Sequence, residues 1–211
     1  MAAGRAGARL AALCLENNVT VVSDEIHADL VYAPHRHIPF ASVSEETASH
    51  TVTLMAPTKT FNLAGLPSAH MIVSERELRR KLRRMCSAMG LPAPNLLSLS
   101  AARAAYTEGD VWLDALLAYL RGNLMTLQNA VPPGSPVVAG DVEGTYLAWL
   151  DCRALLPDPS GLDDLFLQKA GLWLDNGAMF GSGGEGFMRL NFACPRAVLQ
   201  EAIQRLQGVI K

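Results

Sequence analysis

Lys59, in the run Ala56-Pro57-Thr58-Lys59-Thr60-Phe61-Asn62-Leu63-Ala64-Gly65-Leu66, and Asp24, in the acidic turn Ser23-Asp24-Glu25-Ile26-His27, are the residues whose types and spacing carry the most chemistry. A lysine amine condenses with carbonyl compounds and relays protons, and a carboxylate beside it holds a heteroaromatic nitrogen in its protonated form. Each follows a short β-prone run, Val19-Thr20-Val21-Val22 for the aspartate and Thr51-Val52-Thr53-Leu54-Met55 for the lysine, with Pro57 stopping the second. The spacing therefore predicts two neighbouring strands whose C-terminal ends deliver the two groups, buried, at the edge where open α/β sheets bind ligands. Thr58 and Thr60 add hydroxyls that either reach a phosphate or satisfy the turn. From spacing alone, Lys59 also reads as a solvated surface charge and Asp24 as a helix cap or local ion-pair partner.

The elements that must position this pair alternate. A helix from Met1 to Leu15 feeds the Val19 strand; the acidic turn, the Thr51 strand, the Lys59 loop and a strand near Ala69 to Val73 follow. Such alternation argues for an α/β protein with a mostly parallel sheet flanked by helices. Leu78, Leu82 and Met85 recur at helical spacing in a helix begun near Ser74, which Pro92 and Pro94 break. Helices over Asn95 to Tyr106 and Asp110 to Ala130 come next, ending before Val131-Pro132-Pro133-Gly134-Ser135-Pro136, the clearest boundary. Beyond it, strands near Gly144 to Leu150 and Phe187 to Phe192 and helices near Leu162 to Ala170 and Pro195 to Ile210 read as a smaller α+β domain. The expected division is thus 1–131 and 132–211.

Composition narrows the function classes. Half of the 211 residues are hydrophobic, and the formal charge of −2 offers no general pull on nucleic acid. The basic run Arg79 to Arg84 reads as the solvated face of its helix. Cys14, Cys86, Cys152 and Cys194 have no paired spacing, which points to reduced thiols in a cytoplasmic protein and away from a zinc site or disulfide framework. His27, His35 and His37 lack further residues to complete a metal shell. No run of about 18 apolar residues exists for a transmembrane helix, and the N-terminal stretch does not read as a signal peptide. Gly181, Gly183 and Gly186 match the dinucleotide pattern formally, but the segment after them is strand-like where that fingerprint needs a helix.

Ser23-Asp24-Glu25-Ile26-His27, then Asp29-Leu30-Val31 and His37-Ile38-Pro39, then Ala56 to Gly65, closely resemble fold-type I aminotransferases of class I/II, within them the cystathionine β-lyase-like branch. Tyr146 to Asp151, Gly177 to Gly181 and Gly186 to Arg196 are similar to that family's C-terminal domain, in the same order. The resemblance implies the cofactor pyridoxal 5'-phosphate, part of a fold-type I large domain with the small domain after it, and a homodimer. It implies that Lys59 anchors the cofactor and removes the substrate's Cα proton. Asp24 would pair with the protonated pyridine nitrogen, and His27 would lie near the cofactor's phenolic oxygen, where many relatives have tyrosine. Thr58 would be a further cofactor contact and Arg189 would hold the substrate α-carboxylate, a task suited to a planar guanidinium. By pattern alone, His27 equally reads as a packed histidine and Arg189 as an outward residue of an alternating strand.

Family members run to nearly twice this length. The phosphate loop and the aromatic that stacks on the cofactor belong to their N-terminal half, which this chain lacks, so unpaired sheet edges and exposed apolar faces are expected. Pro67 stands where many class I members have a phosphate-binding arginine, and Ala56 where others have a serine; the β-lyase-like branch often lacks that arginine. The activity implied is carbon–sulfur β-elimination, giving pyruvate, ammonia and a thiol from a small amino acid that is a cysteine S-conjugate. An aminotransferase would use the same residues, and a non-catalytic fragment or interaction protein is the reading from another class.

Overall fold

The computed structural model describes residues 2–91, 93–132 and 134–210. Pro92 and Pro133, part of the breaks read from the sequence, lie outside the described residues. The chain packs as two compact units, 1–114 and 115–211. The division falls within the long helix, earlier than the Pro-rich stretch.

The first unit runs through α1 (Ala2–Glu16), β1 (Val21–Asp24), α2 (Glu45–Ser49), β2 (Thr51–Met55), α3 (Pro57–Thr60), β3 (His70–Ile72), α4 (Arg76–Ala88) and α5 (Leu96–Glu108), and takes in the start of α6 (Asp110–Ala130). Its sheet has the order β1-β2-β3. β1 and β2 are parallel, in the register Val21↔Thr51 to Asp24↔Leu54, whereas β3 is antiparallel to β2. The expected mostly parallel sheet thus holds for the first pair only. The connection from β2 to β3 carries a single helical turn, and the chain doubles back along β2. β2 is central, with Thr51, Val52 and Thr53 buried, while the flanking strands leave Val22, Met71 and Ile72 more than half exposed.

The long segment between β1 and α2 is held by one buried carboxylate. Glu25 is only 6% exposed. It accepts hydrogen bonds from Ser23 Oγ (2.9 Å), the Phe40 N–H (3.0 Å) and His37 Nε2 (2.7 Å). Burial pushes its carboxyl up, but the bonds from His37, Phe40 and Ser23 outweigh burial and hold it below the ordinary value. An ionised, buried acceptor thereby fastens the 37–40 stretch to the end of β1. The sequence pattern assigned Glu25 no part.

The second unit is built on an antiparallel sheet of order β4 (Val138–Ala139), β5 (Leu147–Asp151), β7 (Phe187–Asn191) and β6 (Asp175–Asn176). Ala148, Leu150, Met188 and Leu190 alternate inward. They meet an apolar core that includes Leu120, Leu124 and Leu127 of α6 and Leu199, Ile203 and Leu206 of α8 (Arg196–Val209), the helical counterpart of the same burial. The expected helix near Leu162 to Ala170 is α7 (Leu162–Asp164) continued by a π-helical turn to Lys169.

Buried Asn123 explains why the body of α6 packs with the second unit. Its Nδ2 donates to the carbonyls of Phe192 (2.8 Å) and Cys194 (3.0 Å), and its Oδ1 accepts from Arg196 Nε (2.7 Å). One side chain thus satisfies the chain leaving β7 and the first residue of α8. All four cysteines are free thiols. Burial, with the nearby charge of Asp151, pushes the Cys152 thiol up to about 12, so it stays protonated and inert.

Two outcomes follow from these buried polar groups. Glu25→Gln loses about 1–3 kcal/mol at pH 7 in urea titration. Because the folded carboxyl titrates below its ordinary value of 4.5, the stabilisation is present above that pH and is lost as pH falls through the folded value. The gap between wild type and variant therefore narrows on acidification, and an equal gap at pH 7 and at about pH 3.5 would refute the ionised role. Asn123→Ala orphans the buried Phe192 carbonyl and lowers stability by about 2–3 kcal/mol; an unchanged urea midpoint would contradict this.

Candidate active site

Asp24 is the last residue of β1, aligned with Leu54 of β2, and the Glu25 N–H continues the ladder to the Leu54 carbonyl at 2.9 Å. The parallel register therefore brings Asp24 beside the C-terminal end of β2, where α3 begins. Pro57 is the first helical residue, its fixed φ suited to that position. Lys59 is the third residue of this turn. The turn closes through Phe61 N–H to the Pro57 carbonyl (2.9 Å) and Leu63 N–H to the Thr58 carbonyl (3.0 Å).

Asp24 and Lys59 were expected to be buried, and both are exposed. The physical reason is what covers them: β1 is an edge strand with no neighbour on its outer side among the described residues, and Lys59 stands on the short α3 turn beyond β2. Asp24 Oδ1 accepts a long bond from the Ile26 N–H (3.3 Å), and Oδ2 has no partner among the described residues. The Lys59 ammonium likewise makes no hydrogen bond or ion pair with the described residues. An open carboxylate oxygen and an unpaired amine thus stand on adjacent parallel strand ends.

His27 is half-buried in the turn directly after Asp24, and its carbonyl accepts from the Leu30 N–H at 3.0 Å. Thr58 is half-buried beside Lys59, and its hydroxyl has no bond to the described residues. Thr60, whose two roles the sequence left open, is committed. It is fully buried, and its hydroxyl donates to Asp29 Oδ2 at 2.9 Å. Phe61 packs edge-on against Tyr106 (ring centroids 6.3 Å apart) and beside Trp112 (5.7 Å). A Cβ at Gly109 would collide with the Phe61 ring and the Ala105 carbonyl, so glycine is needed there. Burial, with the charge of Asp29, pushes the Tyr106 phenol up.

Arg189 belongs to the second unit, on the open face of its sheet. Its Nε and Nη2 both donate to Asp175 Oδ2, at 3.0 and 2.7 Å, and its guanidinium lies 4.6 Å from the centroid of the Phe180 ring. Trp149 sits across the strand pair from Arg189, stacked on Phe187 (5.6 Å, 19°) and edge-on to Phe180. Asp175 and Phe180 were not read as functional from the sequence. The register Asp175↔Arg189 explains the pairing, but a two-residue strand leaves no periodic signal. The glycine loop before β7 has Gly181, Gly183 and Gly186 at positive φ, and a strand, not a helix, follows it.

Among the described residues, no three His, Cys, Asp or Glu side chains group as metal ligands, and no helix is long and apolar enough to cross a membrane.

The chain is 40% identical to cystathionine beta-lyase PatB of Bacillus subtilis over 203 residues, which cover 96% of the chain and 52% of that protein. It is 34% identical to MalY of Escherichia coli, with the same shares covered. Its fold superposes on cystalysin from Treponema denticola, a structure containing pyridoxal 5'-phosphate, with a TM-score of 0.90 and 33% identity over 94% of this chain and 51% of that one. The chain spans about half the length of the curated relatives it matches. Its architecture is part of the fold-type I architecture of those enzymes. Residues 8–206 match the family model for aminotransferase class I and II, and with the parallel strand ends carrying Asp24 and Lys59, this chain belongs to that family.

Proposed function

We propose that this chain supplies the chemical centre of a pyridoxal-phosphate-dependent carbon–sulfur β-lyase acting on a cysteine S-conjugate of the cystathionine type. The observation that carries the reading is the placement of Asp24 and Lys59 on adjacent parallel strand ends, one with an open oxygen and the other with an unpaired amine. That donor set fits the cofactor: the amine is free to condense with an aldehyde, and the carboxylate is free to accept from a ring N–H. Pyridoxal phosphate, when bound, supplies an electron sink for a carbanion at the substrate's Cα.

The protein's own groups do the rest. Lys59 would hold the cofactor, and its amine, when free, would be the base for the substrate's Cα proton. Asp24 would keep the ring nitrogen protonated, with Oδ2 open to accept from it while Oδ1 accepts from the Ile26 N–H. His27, on the turn after Asp24, would lie near the cofactor's phenolic oxygen, and the Thr58 hydroxyl would be a further contact beside Lys59.

Arg189 binds the substrate α-carboxylate. Asp175 occupies Nε and one hydrogen of Nη2 with a single oxygen, which leaves Nη1 and the outer hydrogen of Nη2 as a two-pronged edge for a carboxylate. Asp175 therefore orients the fork without using it up. The pyruvate, ammonia and thiol products follow from loss of the Cβ thiolate and hydrolysis. The relative PatB, a cystathionine beta-lyase by name and 40% identical, favours the lyase over an aminotransferase. A small amino acid substrate, a homodimer and a cytoplasmic setting go with the reading.

Incubating the chain with pyridoxal phosphate and cystathionine, and assaying pyruvate, tests the reaction. Pyruvate is expected from wild type and is lost in Lys59→Ala; cofactor converted to its amine form without pyruvate would show transamination instead. Arg189→Lys keeps the charge but loses the fork, so KM rises about 10- to 100-fold with a smaller change in kcat. Equal loss in kcat and kcat/KM would remove Arg189 from carboxylate binding.

A further inference from the structure

We infer that Thr60 and Asp29 form a positioning pair that sets where the Lys59 amine stands relative to the Asp24 carboxylate. The inference rests on the proposed reading that Lys59 anchors the cofactor. α3 is a single helical turn, too short to hold its own shape in water. Lys59 itself is exposed, and its side chain makes no hydrogen bond or ion pair among the described residues. The residues after it are the anchored ones.

Thr60 is 0% exposed, and its hydroxyl donates to Asp29 Oδ2 at 2.9 Å across 31 positions of sequence. Asp29 lies in the turn that continues from Asp24, where the Ala28 N–H donates to the Glu25 carbonyl and the Leu30 N–H to that of His27. The bond therefore runs from the turn that bears the amine to the turn that bears the carboxylate. Threonine suits the task, because its branched Cβ restricts χ1 and lets one bond orient the backbone of the turn. On the other side, Phe61 is wedged against Gly109, Tyr106 and Trp112. Phe61 fixes the turn to the helices behind it, and Thr60 fixes it to the turn that follows β1. Asp29 also lies near enough to Tyr106 for its charge to act on that phenol, so the three groups form one cluster.

The test uses the full chain and the variants Thr60→Val, Asp29→Ala and Thr60→Ser. Without cofactor, amide exchange at Phe61 and Leu63 is measured; with pyridoxal phosphate, the visible band is titrated against cofactor and pH, followed by borohydride reduction and peptide mapping. Wild type is expected to carry the reduced label on Lys59. In Thr60→Val and Asp29→Ala, exchange quickens, cofactor is held about tenfold more weakly, and the pH at which the band titrates is displaced. Thr60→Ser, which retains the donor, stays near wild type. A merely structural role would lower the melting temperature and leave the titration pH in place. Wild-type binding and titration in Thr60→Val would overturn the positioning pair while the label on Lys59 left the anchor standing. Absence of label on Lys59 in wild type would overturn the anchor, and the pair with it. If Thr60→Val does not fold, Asp29→Ala against Thr60→Ser decides on the same two readouts.

Discussion

The parallel pairing of β1 with β2 is the constraint on which the candidate site depends. Four backbone registers, from Val21↔Thr51 to Asp24↔Leu54, set the ends of two strands side by side and pointing the same way. Residues 35 positions apart in the chain are thereby placed within adjoining loops. An antiparallel pairing of the same strands would have put Asp24 and the α3 turn at opposite ends of the sheet. The antiparallel β3 does not disturb this, because it lies on the other side of β2 and contributes no residue to the pair.

Around that pairing, buried polar groups define the loops that strand registers leave free. Glu25, turned inward where Asp24 is turned outward, ties down the segment through His37 and Phe40. Asp29 ties the α3 turn through Thr60. The acidic run thus divides its carboxylates: Asp24 is left exposed at the strand end, while Glu25 and Asp29 hold backbone segments in place. In the second unit the same economy appears at Asn123, which satisfies two carbonyls and one guanidinium from a single buried position.

The second unit's sheet separates its apolar core from an open polar and aromatic face. Met188 and Leu190 point to the helices, and Arg189 between them points to the open side with Trp149 and Phe187. An isolated arginine on that face would be a mobile surface charge. Held by Asp175 and stacked over Phe180, it presents one edge of its fork in a fixed direction, which is what recognition of a planar carboxylate requires.

Much of this was legible in the sequence because it depends on local pattern. The β-prone runs before Asp24 and Lys59, the helical periodicity of α4, the prolines and glycines that bound α5 and α6, the alternation around Arg189 and the ordered motifs of the family all lie within short windows. Exposure was misjudged for Asp24 and Lys59, since burial depends on what covers a strand end and not on the residues of that strand. The roles of Glu25, Asp29, Asn123 and Asp175 were equally hidden. Each acts on a partner that the fold brings near, 12 or 15 positions away for Glu25, 14 for Asp175, 31 for Asp29 and 69 to 73 for Asn123. By itself the sequence determined which side chains are of a type that could do chemistry and which elements carry them, because side-chain type and periodicity are local properties. Only the tertiary structure decided which way each carboxylate faces and what it holds, because hydrogen-bond partners are set by strand register and packing across the chain.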